Sequence, residues 1–347
     1  MKIIGVVIMC IFFMSVNLNA EEAVKPVNPE ASPEAKQLLK YLYSVRGKKT
    51  LTGQHNAPIR GTRRLPVVHR KTGKYPAMVG QDFGFSYPGY WDGINYRQNI
   101  VDEAIRRHEQ GFINTIMWHA VVPTQDEPVS FEPFIKTEET PHHLTKEEWK
   151  ELTTDGTDLN ERWKSQVDVI AYFLKQLRYA DVPILWRPYH EMNGDWFWWG
   201  GRPGEDGYKK LYRMLYDRFV NFHKLNNLIW VWNANEVKPT VPSYKDYYPG
   251  DDVVDILATD VYFTGFNQEN YKKLSKLAGD KLIAIGECGN PPKAKILKEQ
   301  PKWSWFMKWS EPANEEKDVY NSEQVINFSD LPWVDIDDPK IHYPVLK

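Results

Sequence analysis

From residue 32 onward the chain repeats one pattern: a short apolar run of strand length, then a longer stretch whose apolar residues recur at helical spacing. The short runs are 49–53, 77–82, 112–119, 184–189, 228–233, 256–262, 282–287 and 304–309, which makes eight candidate strands. Between them Ile100, Ala104, Ile105 and His108 mark one helical face. Val167, Ile170, Ala171, Leu174 and Leu177 mark a second, and Tyr208, Leu211, Tyr212, Leu215, Phe219 and Phe222 a third. Ser32-Pro33 opens an earlier helix, with Ser as the cap and Pro at the first helical position, where no N–H is needed. That helix carries Ala35, Leu38, Leu39 and Leu42 on one face. Strands alternating with helices pair in parallel, and eight such units predict an α/β fold closed as a single (β/α)8 TIM barrel over residues 32–347. An open doubly wound sheet is the runner-up, but no glycine-rich phosphate turn follows the first strand. One connection breaks the rhythm. Residues 120–160, after the third strand, are rich in Pro, Glu and Thr and predict a long loop on the face of the barrel where active sites lie, walling a cleft.

The start of the chain does not belong to this pattern. Met1-Lys2, an apolar run from Ile3 to Val16, and Ala20 before Glu21 read as a secretory signal peptide over residues 1–20. The protein is therefore expected to be exported, to the periplasm or outside the cell. A lipoprotein signal acylated at Cys10 is the alternative, and the apolar chain continuing past Cys10 weighs against it. No later segment approaches the length of a membrane-spanning helix. Residues 21–31, rich in Pro, Glu, Ala and Val without period, predict a flexible N-terminal tether. Removing the signal leaves Cys288 as the one cysteine, so no internal disulfide forms and Cys288 reads as buried packing. Charge is balanced, 44 Lys and Arg against 46 Asp and Glu, which gives no footprint for nucleic acid. The 14 Trp suit sugar faces but equally fill cores, so position has to decide.

Chemistry concentrates at two strand ends. The segment Trp186-Arg187-Pro188-Tyr189-His190-Glu191-Met192-Asn193-Gly194-Asp195-Trp196-Phe197-Trp198-Trp199-Gly200 begins as a buried strand and ends in an aromatic loop. Apolar neighbours desolvate Glu191 and raise its pKa, as a general acid near neutral pH requires. The run 282–286 ends abruptly in Glu287, 96 residues further on. That is three units at the roughly 31 residues per unit of a barrel near 250 residues, which puts both glutamates on one face, at strands 4 and 7. Two facing carboxylates are the machinery of glycoside hydrolysis. A zinc peptidase motif would need a second His at position 194, which is Gly. His142-His143 lacks metal-ligand spacing, and Asp335, Asp337 and Asp338 read as a solvated tail rather than a calcium site. No nucleotide loop or serine elbow is present, and neither metal nor cofactor is expected.

The His190-Glu191 segment with its Trp196-Phe197-Trp198-Trp199-Gly200 loop, together with Ile285-Gly286-Glu287, resembles the β-mannanases of glycoside hydrolase family 26, and the likeness spans the mature chain. The resemblance implies a retaining double displacement on β-1,4-mannosidic bonds of mannan, galactomannan or glucomannan, or on manno-oligosaccharides. It implies Glu191 as acid/base, Glu287 as nucleophile and His190 as support beside Glu191. It further implies that His119 contacts sugar, Tyr262 orients the nucleophile, Trp196 lines the cleft, and Trp309 is a sugar platform, with Trp303 and Trp305 as rival alignments for the last. Asp82 and Arg187 either bond sugar or hold a glutamate. The resemblance also covers hydrolases of mixed-linkage β-glucan or β-1,3-xylan. A non-catalytic glycan-binding barrel is the rival from another class, and the presence of both glutamates weighs against it.

Overall fold

The structure is a computed structural model that describes residues 24–56, 64–84, 94–127, 144–263, 265–309 and 311–335. The expected signal peptide, His142-His143 and Asp337-Asp338 lie outside the described residues. Eight parallel strands close on themselves: β1 (Thr50–His55), β2 (Met78–Asp82), β3 (Ile113–Trp118), β4 (Ile184–Pro188), β5 (Leu228–Asn235), β6 (Ile256–Val261), β7 (Leu282–Cys288) and β8 (Trp303–Lys308). Each pairs with its neighbours in sequence order, and β1 pairs with both β8 and β2, which closes the barrel. A two-residue ninth strand, β9 (Val325–Ile326), pairs with Thr50 and Leu51, below the point where β2 meets β1 at Gly53, and so patches that seam.

Strand alternation sorts the side chains into two compartments. Trp186, Trp230, Leu257 and Ile283 point outward into the layer beneath the helices. That layer receives the apolar faces of α2 (Arg97–Glu109), α3 (Asp158–Tyr179) and α4 (Lys210–Asp217). Leu51, Leu185, Ile229, Val231, Ile256, Ala258, Leu282 and Ala284 point inward. The lower mouth is plugged by α1 (Pro33–Val45), whose Ala35, Leu38, Leu39 and Leu42 join this inner cluster. Each fully buried Leu stabilises by about 1.5–3 kcal/mol. The expected cap is in place, with Ser32 Oγ accepting from the Ala35 N–H at 3.2 Å. Six of the 14 tryptophans are accounted for here: Trp118, Trp163, Trp186, Trp230, Trp232 and Trp305 are fully buried packing.

Two expectations need correction. Residues 24–31 are not a free tether. The Val27 N–H donates to Asp255 Oδ1 at 2.7 Å, Asn28 Nδ2 donates to the Leu225 carbonyl at 3.0 Å, and Asn28 is buried. The absence of period misled because these contacts use backbone groups and one Asn rather than an apolar stripe. The connection after β3 is also not all loop. Its last third holds a helix at Lys146–Leu152, opened by a capping box between Thr145 and Glu148, and α3 already begins at Asp158. Thr-x-x-Glu at 145–148 is the sequence signature of such a start. None of the described residues of this connection lines the cleft described next.

Candidate active site

The strands' C-terminal ends enclose an open cleft of about 530 Å³, lined by His119, His190, Glu191, Trp196, Phe197, Asn235, Lys238, Tyr262, Phe263, Glu287 and Trp309. Glu191, Glu287, His119, His190, Trp196, Tyr262 and Trp309 are all there, while Asp82 and Arg187 lie behind the lining. Glu287 reaches it through an irregularity. On β7, Ile283 and Ile285 face the helices, so strict alternation would turn residue 287 the same way. The register shifts instead: Thr259 pairs with Ile285 but Asp260 pairs with Glu287, so Gly286 is skipped. This bulge re-aims the side chain into the barrel mouth. Only glycine fits at the skipped position, because a Cβ there would lie 1.6 Å from Asn233 Oδ1.

Once turned inward, the Glu287 carboxylate is held at both oxygens. Arg187 Nη2 donates to Oε1 at 2.5 Å and the Tyr262 hydroxyl donates to Oε2 at 2.7 Å. Arg187 Nη1 also lies 3.5 Å from Asp260 Oδ2. Burial alone would lower the guanidinium's pKa, but the charges of Glu287 and Asp260 raise it, so Arg187 stays a fixed cation beneath the carboxylates. Burial, and then the Glu287 charge, push the Asp260 carboxyl well above the usual carboxylate range. The same two causes push the Tyr262 hydroxyl up, which keeps it a donor. Arg187 thus holds Glu287 and does not itself line the cleft.

Glu191 lies three residues past the end of β4, on backbone with left-handed conformations at Tyr189 (φ 48°) and Glu191 itself (φ 56°). Such conformations cost energy in non-glycine residues and persist only where neighbours enforce them. Here the Glu191 N–H donates to the Asn233 carbonyl at 2.8 Å, and Asn193 clamps the next loop by accepting from the Asn235 N–H and donating to the Asn235 carbonyl. Asn235 Nδ2 then donates to Glu191 Oε1 at 3.1 Å, and Trp196 Nε1 donates to Oε2 at 2.8 Å. A Cβ at Gly194 would lie 2.1 Å from the Trp196 ring, so the residue that excludes the zinc motif is also the one that lets the indole fold over the glutamate. Burial, and next the charge of Glu287, push Glu191 up to about 8, while Trp196 and Arg187 act in the opposite direction.

The remaining positions brace or line this pair. His190 is buried, and burial followed by the nearby His119 and Arg187 push it well below the usual histidine range, so it is neutral. Its Nε2 lies 3.7 Å from Glu287 Oε1. His119 is bound through Nδ1 by the Asp82 carboxylate, which also accepts from the His119 and Gly84 N–H groups. Burial raises the Asp82 carboxyl, but His119 and the Gly84 N–H outweigh it and bring it down to about 2. Asp82 is therefore an orienting group that does not reach the cleft. Trp309 stacks on His55 at 3.9 Å between ring centroids. Trp303 and Trp305 are buried away from the cleft, so of the three only Trp309 lines it. Phe197 stacks on Trp199 at 4.4 Å, and Trp198 and Trp199 brace the loop through bonds to the Ala120 and His190 carbonyls. Cys288 is buried, its thiol pushed well up by that burial.

Asn193, Asn235, Lys238, Asp260 and Phe263 had not stood out in the sequence. Asn235 and Asp260 carried a readable signal, a polar residue ending an apolar strand, but polar strand ends are common. His190, Glu191 and Asp260 offer ligand atoms within 4.8 Å of one another, a geometry a metal ion could use, though Arg187 already supplies the positive charge at that spot.

The sequence model of Glycosyl hydrolase family 26 matches residues 27–338. The mannan endo-1,4-beta-mannosidase of Thermothelomyces thermophilus is 37% identical over 335 residues, covering 89% of this chain and 64% of its own length. The mannan endo-1,4-beta-mannosidase A of Piromyces sp is 29% identical, covering 90% of this chain and 51% of its own. The chain thus spans between half and two-thirds of the length of these curated relatives. Among solved structures, GH26A from Muricauda sp. MAR_2010_75 is 44% identical, with a TM-score of 0.81, covering 88% of this chain and 99% of that one.

Proposed function

The chain belongs to glycosyl hydrolase family 26, and on that premise we propose that it is a retaining β-mannanase that cleaves β-1,4-mannosidic bonds. The observation that carries the reading is the pair of glutamates in one cleft with opposite settings. Glu287 is held at both carboxylate oxygens, one by the Arg187 guanidinium and the other by the Tyr262 hydroxyl. Glu191 is pushed up to about 8 and holds its proton at neutral pH.

In the first step a Glu287 oxygen forms a bond to the anomeric carbon. The bond from that carbon to the departing sugar's oxygen breaks, its electron pair stays on the oxygen, and Glu191 supplies the proton. Glu287 is then a neutral ester. That removes the charge which is the second cause of the raised Glu191 pKa, so Glu191 becomes easier to ionise when a base is needed. Ionised Glu191 takes a proton from water, the water oxygen bonds to the anomeric carbon, and the ester breaks to release Glu287. His119, oriented by Asp82, and Trp309 would hold the sugar being cleaved, and Trp196 would cover the proton donor. The names of the mannan-cleaving relatives support the substrate, and the reading of residues 1–20 as a signal peptide supports export.

The test is hydrolysis of β-1,4-mannan and manno-oligosaccharides, read by release of reducing ends and by NMR of the first product anomer. Retention predicts the β-anomer first. An α-anomer first overturns the double displacement, and no release from mannan overturns the substrate.

A further inference from the structure

We infer that Phe263 and Lys238 form the site that receives the leaving-group sugar, the monosaccharide unit on the far side of the broken bond. The inference rests on the hydrolase reading above and assigns two residues that reading does not use.

The cleft runs between two aromatic walls. One is Trp309, just past β8, stacked on His55 of β1, with its N–H bonded at 3.0 Å to the carbonyl of Cys288, the residue after Glu287. The other is Phe263, just past β6, with Lys238 from the turn after β5. Strands follow sequence order around the barrel, so Trp309 past β8 and Phe263 past β6 flank Glu287 at β7, and Lys238 past β5 stands beside Glu191 at β4. A sugar chain laid from Trp309 to Phe263 and Lys238 therefore passes Glu287 and comes alongside Glu191. Its direction follows from how they are held. The carbon attacked by Glu287 belongs beside Trp309. The proton leaves from Glu191, whose Oε1 is tied to Asn235, three residues before Lys238. The departing oxygen, and the sugar it belongs to, thus lie toward β5 and β6.

The wall on that side has the chemistry a sugar needs. Phe263 is 74% exposed, whereas Phe197, the other phenyl ring in the cleft, is 8% exposed and serves the core. Lys238 Nζ lies 4.1 Å from the Phe263 ring centroid. A pyranose offers an apolar C–H face to an aromatic face and hydroxyls to an ammonium donor. The ring is also prevented from folding inward. The N–H groups of Tyr262 and Phe263 both donate to Oε1 of the buried Glu236, at 2.9 and 2.5 Å. Lys238 sits in a turn closed by the Val241 N–H donating to its carbonyl at 2.8 Å, and Asn270 Nδ2 donates to the preceding carbonyl, that of Val237. An apolar ring held out in water on a fixed loop is a platform whose ordering cost is met before the ligand arrives.

The test compares mannotetraose with mannobiosyl fluoride, whose leaving group is one atom and touches no leaving-side platform. Phe263→Ala is expected to lower the ratio of kcat/KM for mannotetraose over the fluoride by roughly five- to tenfold, the scale of one aromatic contact. Lys238→Ala should lower it by less, and Phe263→Tyr should restore it. Tyr262→Phe, acting on Glu287, should slow both substrates and leave the ratio alone. An unchanged ratio in Phe263→Ala, whether both substrates slow together or neither does, overturns the assignment. A wild-type protein that cleaves neither substrate overturns the hydrolase reading itself.

Discussion

The two ends of the barrel are made from the same strands, and the difference between them begins two residues apart. On β4 the inward side chain changes from Leu185 to Arg187, on β5 from Val231 to Asn233, and on β6 from Ala258 to Asp260. Two residues are about 6.6 Å of strand, so an apolar plug gives way to a charged layer within one step. Below that step the residues pack against one another and against α1. Above it Arg187, Asp260, Glu287 and Glu191 crowd together, two of the carboxyls are forced toward protonation, and the backbone of Tyr189 and Glu191 is left-handed. The lower half stabilises the fold and the upper half spends part of that stability on a site poised for proton transfer.

The contrast is most sharply exposed by one substitution in each half. Glu287→Ala should lower turnover by on the order of 10⁴-fold or more, while the protein melts near the wild-type temperature. Leu185→Ala, buried at the lower end, should do the reverse: about 2–5 kcal/mol lost from unfolding free energy, with the kcat of the folded fraction retained. Circular dichroism melts and kinetics on the same samples check the pair, and a large loss of stability in Glu287→Ala would erase the distinction. A smaller effect is expected from Asp82→Asn, which weakens the hydrogen bond that charged Asp82 accepts from the His119 ring. Losing a bond of about 1.5–3 kcal/mol corresponds to a fall in kcat/KM of roughly tenfold to a hundredfold. The Asp82 carboxyl is depressed to about 2, so its stabilising contribution is present above its unfolded pKa and disappears as pH falls through about 2. The subtlest test is the pH dependence of stability around Glu191. Its folded pKa of about 8 lies above the usual carboxyl value of 4.5, so the wild type loses stability as pH rises between those values. Glu191→Gln should remove that loss, melting close to wild type at pH 4 and higher than wild type at pH 8. Equal melting temperatures at both values would mean that the upper layer is not strained by its charges.

Much of this was legible in the sequence because it depends on local pattern. Eight apolar runs separated by amphipathic stretches gave all eight barrel strands, since burial on both faces demands apolar runs and helices demand their own period. Glu191 and Glu287 stood out because a carboxylate closing an apolar strand carries a desolvation cost that packing alone does not require. The packed N-terminal segment and β9 were hidden because they are held by backbone bonds that leave no period. Asn193 and Glu236 were hidden because they act on loops that are distant in sequence, through 42 and 26 residues of separation.

The sequence by itself determined that there would be a barrel and which strand ends would carry carboxylates, because both follow from side-chain periodicity and composition along one strand at a time. It could not determine where those carboxylates point. By alternation Glu287 belongs with Ile283 and Ile285 against the helices. It enters the cleft because β6 and β8 impose a bulge at Gly286, where Asn233 leaves no room for a Cβ. That outcome is set by pairing register and close packing between strands, which exist only once the barrel has closed.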